Sequence, residues 1–455
     1  MQARKPDAMN MPGDTVVAIA TPPGIGGIGI LRVSGPLCRG IAESFLGHAA
    51  RPRHAHVCVF GDGAGDLIDR GLLLWFPGPH SFTGEDVLEL HAHGSPVALG
   101  MLQARVVELG ALPARPGEFS ERAFLNGKLD LTQAEAIADL IASGSTAAAR
   151  AALRSLEGEF SDRVRRLTAA LIRLRGYLEA AIDFADEQID FLATPEVFQH
   201  LDVLQSDLAG LLIETQRGVR LTDGLHVVIA GKPNAGKSSL LNKLAQSDRA
   251  IVTEIAGTTR DVLRETIELD GVAVALVDTA GLRESEDAIE REGVRRARAE
   301  LALADVALLV TEDDLEDDAS IPGDLADGAI GIVIHNKIDL RGGVPRRRMC
   351  GTNVHLWLSA LSGEGLDLLR TELKRAAAYE ESSGGSFSAR IRHVNALERA
   401  GRELDSARVA LFQQQAIELA LEDLRRVQEA LGEITGEFSN EDLLGKIFST
   451  FCIGK

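Results

Sequence analysis

The sequence lacks the features that mark a secreted or membrane-spanning protein. Its four cysteines stand far apart and form no CxxC pair: Cys38, Cys58, Cys350 and Cys452. A disulfide framework is therefore not expected. No apolar run reaches the ~18–20 residues needed to cross a bilayer, and residues 1–14 lack the apolar core of a signal peptide. These absences predict a protein of the reducing cytoplasm.

Aromatic residues and positive charge are also scarce. Two Trp and two Tyr among 455 residues disfavour a surface that stacks bases. The formal net charge of −19 argues against non-specific coating of nucleic acid, although a local basic surface remains compatible with it. The acidic stretch 312–327 is interpreted as a solvated surface loop. A chain this long exceeds one hydrophobic core, so two to four domains are expected.

The first part of the chain mixes short apolar runs with turn residues. Thr15–Ala20 and Gly71–Phe76 are predicted strands, because each is bounded by a cluster of Pro and Gly. This pattern indicates an α+β domain that extends to about Glu118.

Helical periodicity begins near Asp130. Thr132 and Glu135 have capping-box spacing, and apolar residues then recur at steps of three and four. The longest row consists of Leu156, Phe160, Val164, Leu167, Leu171, Leu174, Leu178 and Ile182. A second row, after the Gly384–Ser386 linker, consists of Leu397, Leu404, Leu411, Ile417, Leu421 and Leu424. Both rows are interpreted as the core of one helical domain, into which the intervening α/β segment is inserted.

A phosphate-binding loop is predicted between these helical parts. Residues 231–238 (GKPNAGKS) follow the apolar run His226–Ala230 and precede the helical segment Ser239–Leu244. In this pattern glycines let backbone N–H groups surround phosphate oxygens at a helix N-terminus. Lys237 is expected to reach the β- and γ-phosphates, and Ser238 to bind Mg²⁺.

Three further motifs follow in the order expected of a guanine-nucleotide-binding domain. Residues 278–281 (DTAG) end the predicted strand Val272–Val277, which pairs with Val262–Leu269. Residues 336–339 (NKID) follow another strand, and the Asp339 carboxylate can accept two N–H bonds that guanine, unlike adenine, offers. Ser359-Ala360 follows a further predicted strand, His355–Leu358. Since ligands bind at the carboxyl ends of strands in such sheets, the four motifs together predict GTP.

The hydrolytic group is not evident from these motifs. Thr258 and Thr259 lie where the first switch is expected, and Thr259 is the predicted Mg²⁺ ligand. Leu282 occupies the position at which Ras-like proteins carry a water-orienting Gln, and leucine cannot orient water. The nearby charged residues leave the choice open: Arg283, Glu284, Glu286, Asp287, Glu290 and Arg291.

Several longer motifs resemble those of the MnmE (TrmE) family of tRNA-modification GTPases. The resemblance covers nearly the whole chain. Besides the nucleotide motifs, it rests on ATPPG (20–24), GILR (29–32), SFTGED (81–86), RPGEFSER (115–122), GKLD (127–130), IAGTTRD (255–261) and FCIGK (451–455).

The resemblance implies a multidomain α/β fold. It implies an α+β, folate-binding and dimerising N-terminal domain (1–126), a helical bundle domain in two parts (127–222 and 379–455) and an inserted Ras-like P-loop G domain (223–378) with a mostly parallel sheet. It also implies a homodimer that forms a heterotetramer with an FAD-dependent partner of the MnmG/GidA type. The implied reaction places an aminomethyl or carboxymethylaminomethyl group on C5 of the wobble uridine of tRNA, with 5-formyl- or methylene-tetrahydrofolate supplying one carbon.

The resemblance also assigns residues. Hydrolysis would be stimulated by K⁺, held by Asn234, Thr253, Ile255 and Thr258, and Glu290 would orient the attacking water. Folate would contact Arg32, Glu89, Lys128 and Lys455. GTP would contact Asn234, Ala235, Gly236, Lys237, Ser238, Ser239, Thr253, Glu254, Ile255, Ala256, Gly257, Thr258, Thr259, Asp278, Thr279, Ala280, Gly281, Asn336, Lys337, Asp339, Ser359 and Ala360.

A second interpretation remains open on the nucleotide motifs alone. They would also suit a ribosome-assembly or regulatory GTPase that only reports its nucleotide state. Such proteins usually carry a recognisable RNA-binding domain, and the sequence shows neither a basic aromatic sheet nor a KH-type Gly-x-x-Gly context. The longer motifs therefore favour the tRNA-modification interpretation.

Overall fold

The chain divides into two units by its backbone contacts. One unit contains residues 1–138 and 432–455, and the other contains residues 139–431. The computed structural model describes residues 13–183, 195–232, 234–247, 264–269, 272–278, 304–313, 329–351, 353–376, 387–438, 441–451 and 453–454. Within these ranges, no helix is both long and apolar enough to cross a membrane.

The first unit is built on a six-stranded sheet. Its strands are β1 (Val16–Ile19), β2 (Gly26–Ser34), β3 (His56–Gly61), β4 (Leu67–Phe76), β5 (Val87–Gly94) and β6 (Leu112–Pro113). Its helices are α1 (Cys38–Leu46), α2 (Pro96–Glu108), α3 (Glu118–Leu125) and α12 (Glu441–Ser449). Helix α4 (Leu131–Ala142) begins in this unit, and helix α11 (Ile417–Thr435) ends in it.

The strands of this sheet follow the order β3-β4-β5-β2-β1-β6. In β3, Val57 and Val59 are exposed whereas Cys58 and Phe60 are buried, as expected for a strand with one covered face. The covered face packs against α1 and α2. Both strands predicted in this region are present, and β4 begins four residues before the predicted Gly71, at Leu67.

Helix α4 is capped differently from the sequence prediction. Asp130 Oδ1 accepts the Gln133 N–H at 2.9 Å, and Gln133 Oε1 accepts the Asp130 N–H at 3.0 Å. This reciprocal pair is a capping box, so the assignment of that role to Thr132 and Glu135 was wrong. The Thr132 hydroxyl instead donates to Asp130 Oδ1 at 2.7 Å. The helix accordingly begins at Leu131.

The last residues of the chain pack against the first part of it. A buried cluster consists of Leu131, Ala134, Ile447, Phe448 and Phe451. Beyond it, Gly454 is buried with φ of 93°, and a Cβ at that position would collide with the Ile19 carbonyl oxygen. Only glycine allows this close approach without strain. The segment around Gly454 is thereby held against the end of β1.

The second unit contains a helical part and an α/β part. The helices are α5 (Thr146–Leu156), α6 (Glu159–Asp183), α7 (Pro195–Asp223), α8 (Lys237–Ser247), α9 (Leu366–Ala376) and α10 (Ile391–Phe412). The strands are β7 (Leu225–Gly231), β8 (Arg264–Leu269), β9 (Val272–Asp278), β10 (Val306–Thr311), β11 (Ile330–His335), β12 (Arg346–Cys350) and β13 (Asn353–Trp357).

Both rows of apolar residues contribute to the helical core. Phe160, Leu171 and Leu178 are at most 1% exposed, and Phe160 stacks on Phe387 with ring centroids 4.5 Å apart. The first row is interrupted after Leu156, where α5 ends and α6 begins three residues later. Helix α10 follows the α/β part in the chain and packs against α7, which precedes it. This packing is the arrangement expected when an α/β domain is inserted into a helical one.

The sheet of the α/β part has seven strands in the order β12-β13-β11-β10-β7-β9-β8. The five central strands, β13, β11, β10, β7 and β9, are parallel to one another. Each edge strand, β12 or β8, is antiparallel to the strand beside it. The predicted mostly parallel sheet is therefore confirmed. Because these strands are parallel, the carboxyl ends of β7, β9, β10, β11 and β13 all lie at the same edge of the sheet.

Candidate active site

The loop between β7 and α8 has the backbone of a phosphate-binding loop. Gly231, Asn234 and Gly236 have φ values of 146°, 64° and 94°. A Cβ at Gly231 would collide with the Val310 carbonyl oxygen, and one at Gly236 would collide with the Asn336 side-chain amide. Both glycines of the motif are therefore required by close packing as well as by their backbone angles. Asn tolerates the left-handed region better than most residues do.

Lys237 begins α8 and places its ammonium group within this loop. Its Nζ donates to the carbonyl oxygens of Gly231 and Lys232 at 2.8 and 2.9 Å, and the residue is only 6% exposed. A cation held at a helix N-terminus, beside a loop of backbone N–H groups, is suited to phosphate oxygens. Ser238 and Ser239 follow in the first turn and are exposed, whereas Ala235 is buried.

Asn336 joins three of the predicted motifs. Its Nδ2 donates to the Ala235 carbonyl oxygen at 2.8 Å, and its Oδ1 accepts the Ala360 N–H at 2.9 Å. Its own N–H donates to the Thr311 carbonyl oxygen at 2.8 Å. Asn336 is 4% exposed, so these hydrogen bonds are made away from water, where each unmade one is costly. The sequence predicted Asn336 as a contact to the nucleotide but did not predict this bridging role.

The other residues predicted to recognise the base are Lys337, Asp339 and Ser359. Lys337 has φ of 66° and precedes a 3₁₀ turn, Ile338–Leu340, in which Asp339 is exposed. Ser359 is fully buried, and its Oγ accepts the Ser362 N–H at 3.1 Å. An exposed carboxylate can accept N–H bonds from one edge of a planar base, and a backbone N–H can donate to an acceptor on another edge.

The other nucleotide residues are placed only in part. Asp278 ends β9 and pairs in register with Ile229 of β7, which brings its backbone beside the strand that leads into the phosphate loop. The following predicted site residues lie outside the described residues: Thr253, Glu254, Ile255, Ala256, Gly257, Thr258, Thr259, Thr279, Ala280, Gly281, Glu290 and Lys455.

A second group of predicted residues lies in the six-stranded sheet of the first unit. Arg32 on β2 pairs with Glu89 on β5, and its Nε and Nη2 donate to Glu89 Oε1 at 3.1 and 3.0 Å. The other carboxylate oxygen contacts His91 Nε2 at 3.1 Å. The Arg32 guanidinium also lies 5.5 Å from the ring centroid of Phe82 and 5.9 Å from that of Phe119. Charged and aromatic groups thus meet beside one carboxylate.

Two other features bear on this second group. The Arg32 Nη1 donates to the Gly454 carbonyl oxygen at 3.5 Å, so the residue before Lys455 is adjacent to the Arg32–Glu89 pair. Lys128 has a different partner, because its Nζ donates to the Pro79 carbonyl oxygen at 3.1 Å. The structure therefore joins Arg32, Glu89 and the end of the chain directly, and it places Lys128 against the loop after β4.

A buried ionic network supports this region and was not predicted. Arg122 is 6% exposed and donates to Glu85 Oε2 at 2.9 Å and to Glu118 Oε1 at 3.1 Å. Ser34 Oγ donates to the same Glu85 oxygen at 2.8 Å. Burial alone would raise the pKa of Glu118, but the Arg115 backbone N–H and the charge of Arg122 outweigh it and lower that pKa. The network connects β2, the SFTGED loop and α3, which begins within the RPGEFSER motif. Both of these motifs therefore have a structural role.

The comparisons with known proteins cover almost the whole chain. A family model described as the MnmE helical domain matches residues 131–452, and one described as the GTP-binding protein TrmE N-terminus matches residues 15–128. The tRNA modification GTPase MnmE of Stutzerimonas stutzeri (strain A1501) is 56% identical over 451 residues, which are 97% of this chain and 99% of that protein. The MnmE of Alkalilimnicola ehrlichii (strain ATCC BAA-1101 / DSM 17681 / MLHE-1) is 54% identical over 443 residues, again 97% and 99%.

A solved structure also aligns with part of the chain. The G domain of the FeoB iron transporter of T. maritima covers 34% of this chain and 98% of its own, at 20% identity and a TM-score of 0.24. Because this TM-score is low, we infer nothing about this chain from that structure.

Proposed function

Because this chain belongs to the MnmE (TrmE) family of tRNA modification GTPases, and is therefore a GTPase, we propose that it couples GTP hydrolysis to modification of the wobble uridine of tRNA. The added group is aminomethyl or carboxymethylaminomethyl at C5 of the base. The protein acts as a homodimer, in a complex with an FAD-dependent partner of the MnmG/GidA type. A tRNA substrate would place this activity in the cytoplasm.

The observation that carries the proposal is the combination of two polar sites in one chain that matches its relatives over their full length. The first is the pocket edge where Asn336 joins the phosphate loop to the Ser359–Ala360 loop. The second is the Arg32–Glu89 pair in the first unit. A GTPase that only reports its nucleotide state has no need of the second site, which makes the ribosome-assembly interpretation the weaker one.

At the first site, this chain's residues bind and orient the nucleotide. Lys237 meets the phosphates, and in doing so exchanges its two loop carbonyl partners for phosphate oxygens. Asp339 accepts the guanine N–H groups, and the Ala360 region faces the opposite edge of the base. Glu290 orients the attacking water. The backbone of the phosphate loop, with three positive φ values in six residues, provides a concave row of N–H groups for the anion.

Metal ions complete this site in the proposed mechanism. The exposed Ser238, at the start of α8, fits a Mg²⁺ ligand together with Thr259, because hydroxyl oxygens suit this hard cation. Asn234, Thr253, Ile255 and Thr258 would hold K⁺. The two cations would neutralise the negative charge that develops on the phosphates during hydrolysis.

At the second site, the groups present suit a folate. Glu89 can accept N–H bonds from the pterin ring, and Arg32, its ion-pair partner, can donate to acceptor atoms of the same ring. Lys128 and Lys455 can pair with the carboxylates of the glutamate tail. The aromatic rings of Phe82 and Phe119, which flank Arg32, offer apolar faces to a flat ring system. A bound tetrahydrofolate would supply the one-carbon unit that joins the nitrogen donor to uridine C5.

The proposed function predicts the loss of one class of nucleoside. Deleting the gene should remove the C5-aminomethylated wobble uridines from tRNA digests analysed by mass spectrometry, and a wild-type copy should restore them. A copy with Arg32→Ala should fail to restore them, because the folate site loses its central cation. Its GTPase rate should remain within about twofold of the wild-type rate, because the contacts that Arg32 makes among the described residues are all with residues of the first unit.

Arg39→Ala is the matched control for that variant. Arg39 is an exposed arginine of the same unit and pairs only with Glu43, four residues away in α1, among the contacts of the described residues. Such a pair contributes little, so this copy should restore the nucleosides. Unchanged tRNA nucleosides after deletion would exclude the proposed function, and restoration by Arg32→Ala would exclude only the folate site.

The cation site predicts a specific salt dependence. The steady-state GTPase rate should be much higher in KCl than in NaCl at equal ionic strength, since K⁺ takes the place of an arginine finger. Asn234→Ala should abolish most of that stimulation, because it removes the side-chain oxygen proposed to bind K⁺. Equal ionic strength matters because general screening affects both salts alike.

The two salts separate the possible outcomes. Equal wild-type rates in KCl and NaCl would remove the proposed roles of Asn234 and the first switch while leaving a GTPase. Stimulation that persists in Asn234→Ala would mean that K⁺ acts elsewhere. Because Asn234 has a φ of 64°, Asn234→Gly should be measured as well. Glycine keeps the backbone conformation without the side-chain oxygen, so its rate separates ligand loss from strain.

A further inference from the structure

The acidic stretch after β10 begins with residues that contact the nucleotide pocket. Its composition alone predicts a solvated loop, and residues 314–327 of it lie outside the described residues. Glu312, however, forms an ion pair with Lys337, with Oε1 and Nζ 2.5 Å apart. The Glu312 carbonyl oxygen also accepts a hydrogen bond from Arg341 Nη2. The start of the acidic stretch is thereby attached to the predicted base-recognition loop at two residues, Lys337 and Arg341.

Asp313 makes a similar set of contacts to two loops. Its carbonyl oxygen accepts a hydrogen bond from His335 Nδ1 at 2.6 Å, and its carboxylate lies 3.5 Å from Lys232 Nζ in the phosphate loop. The Asp313 N–H donates to Thr311 Oγ1 at 3.1 Å. The turn after β10 is therefore fastened to the β11 end on one side and faces the phosphate loop on the other.

Lys337 is the residue whose position this turn determines. It stands between Asn336, which is buried, and Asp339, which is proposed to read guanine. Its left-handed backbone, with φ of 66°, is uncommon for a lysine. The side chain is 32% exposed, and that of Glu312 is 42% exposed. A lysine side chain has four rotatable bonds, and ordering it on ligand binding weakens affinity unless another contact has already ordered it.

We propose that Glu312 is a positioning residue for guanine-nucleotide binding. Its carboxylate holds the Lys337 ammonium group away from the phosphates, so that the apolar stem of Lys337 lies beside the place of the base. The Arg341 and His335 contacts fix the backbone that carries the carboxylate. This inference goes beyond the GTPase activity and rests on the proposed placement of guanine at Asn336–Asp339.

The proposed role of Glu312 is in nucleotide binding and not in stabilising the folded protein. Ion pairs between partly exposed side chains contribute little to folding, so Glu312→Gln should barely change the unfolding midpoint. The variant keeps the size of the side chain and an acceptor oxygen while it removes the charge. What it changes is the freedom of Lys337 before the nucleotide binds.

The test is a double-mutant cycle on nucleotide affinity in the full chain. The dissociation constants of GDP and of a non-hydrolysable GTP analogue should be measured for wild type, Glu312→Gln, Lys337→Met and the double variant. Glu312→Gln should weaken both nucleotides about 3- to 10-fold, the range expected when one ordered side chain becomes free. In the Lys337→Met background the same change should have no effect, because the ammonium group that Glu312 holds is absent.

Glu418→Gln is the matched control. Glu418 is an exposed glutamate in the first turn of α11, outside the α/β part, and this substitution should leave both dissociation constants unchanged. A weakening by Glu312→Gln that persists without Lys337 would overturn the proposal, as would an unchanged affinity in Glu312→Gln itself. Lys337→Ala alone tests the placement of guanine, because it removes the apolar stem of the side chain. If it binds nucleotide as tightly as wild type, that placement is wrong.

Discussion

Asp339→Asn is expected to lower the affinity for GTP by roughly 10²- to 10³-fold, because two charge-assisted hydrogen bonds to guanine are lost. The same variant should gain affinity for xanthosine triphosphate. An asparagine amide can donate to the extra carbonyl of xanthine, where the aspartate could only accept. The measurement is the dissociation constant of the GTP and xanthosine triphosphate analogues for wild type and variant.

The exposed position of Asp339 in its 3₁₀ turn makes this substitution easy to interpret. It leaves the fold of the loop intact, because Asn336 and the buried Ile338 hold the loop. Asp367→Asn is the matched control, an exposed aspartate in the first turn of α9, and its nucleotide preference should equal that of wild type. An unchanged base preference in Asp339→Asn would refute the guanine assignment and with it the proposed orientation of the base.

Glu290→Ala is expected to lower GTP turnover by about 10²- to 10³-fold, the contribution typical of a group that acts on a reacting water. The dissociation constant for GTP should change little, since the carboxylate acts on water rather than on the nucleotide. Single-turnover hydrolysis in KCl, with binding measured separately by a fluorescent GDP analogue, distinguishes the two effects.

Glu290 lies outside the described residues, so this prediction rests on the family resemblance and on the absence of a glutamine at Leu282. The alternatives that charge alone would allow are Arg283, Glu284, Glu286, Asp287 and Arg291. A turnover defect in the alanine variant of one of these residues, with normal turnover in Glu290→Ala, would move the role to that residue. A large loss of GTP affinity in Glu290→Ala would show that the carboxylate contacts the nucleotide.

The elements around the nucleotide pocket were predictable because local signals agree there. The predicted strand His226–Ala230 lies within β7, and the predicted helix Ser239–Leu244 lies within α8. The strand is a short apolar run, and the helix has apolar residues at helical spacing. Both lie next to the glycines of the phosphate loop. The strand predicted at His355–Leu358 is shifted, since β13 spans Asn353–Trp357, and such boundaries are set by partner strands rather than by composition.

Other elements could not be predicted because their stability comes from distant residues. Strand β12 consists of Arg346, Arg347, Arg348, Met349 and Cys350, and it has no alternation of apolar and polar residues. It forms because it pairs with β13 and because Arg347 pairs with Glu372 of α9, with Nε and Oε1 2.8 Å apart. The basic residues suit its position at the edge of the sheet, where charge discourages pairing with another chain.

The site shows the same division between local and long-range information. Motif spacing predicted Lys237, Asn336 and Asp339 as contacts to the nucleotide and guanine as its base. It did not identify the bonds that Asn336 makes to Ala235 and Ala360, or the ion pair between Glu312 and Lys337, because these join residues 24 to 101 positions apart. In the second group, Arg32 and Glu89 came from the family resemblance. The bonds of Arg122 to Glu85 and Glu118 were not predicted, although all three residues lie in motifs that carry that resemblance.

The contact between the two ends of the chain has a consequence for synthesis on the ribosome. The cluster around Phe448 and the approach of Gly454 to Ile19 complete a unit that begins with the first residues of the protein. At 5–20 residues per second, translation of residues 139–431 takes roughly 15–60 s. The nascent first unit must wait that long for its last helix, with Leu131 and Ala134 uncovered. We therefore expect chaperones that bind apolar surface to be recruited to the nascent chain before its G domain is finished.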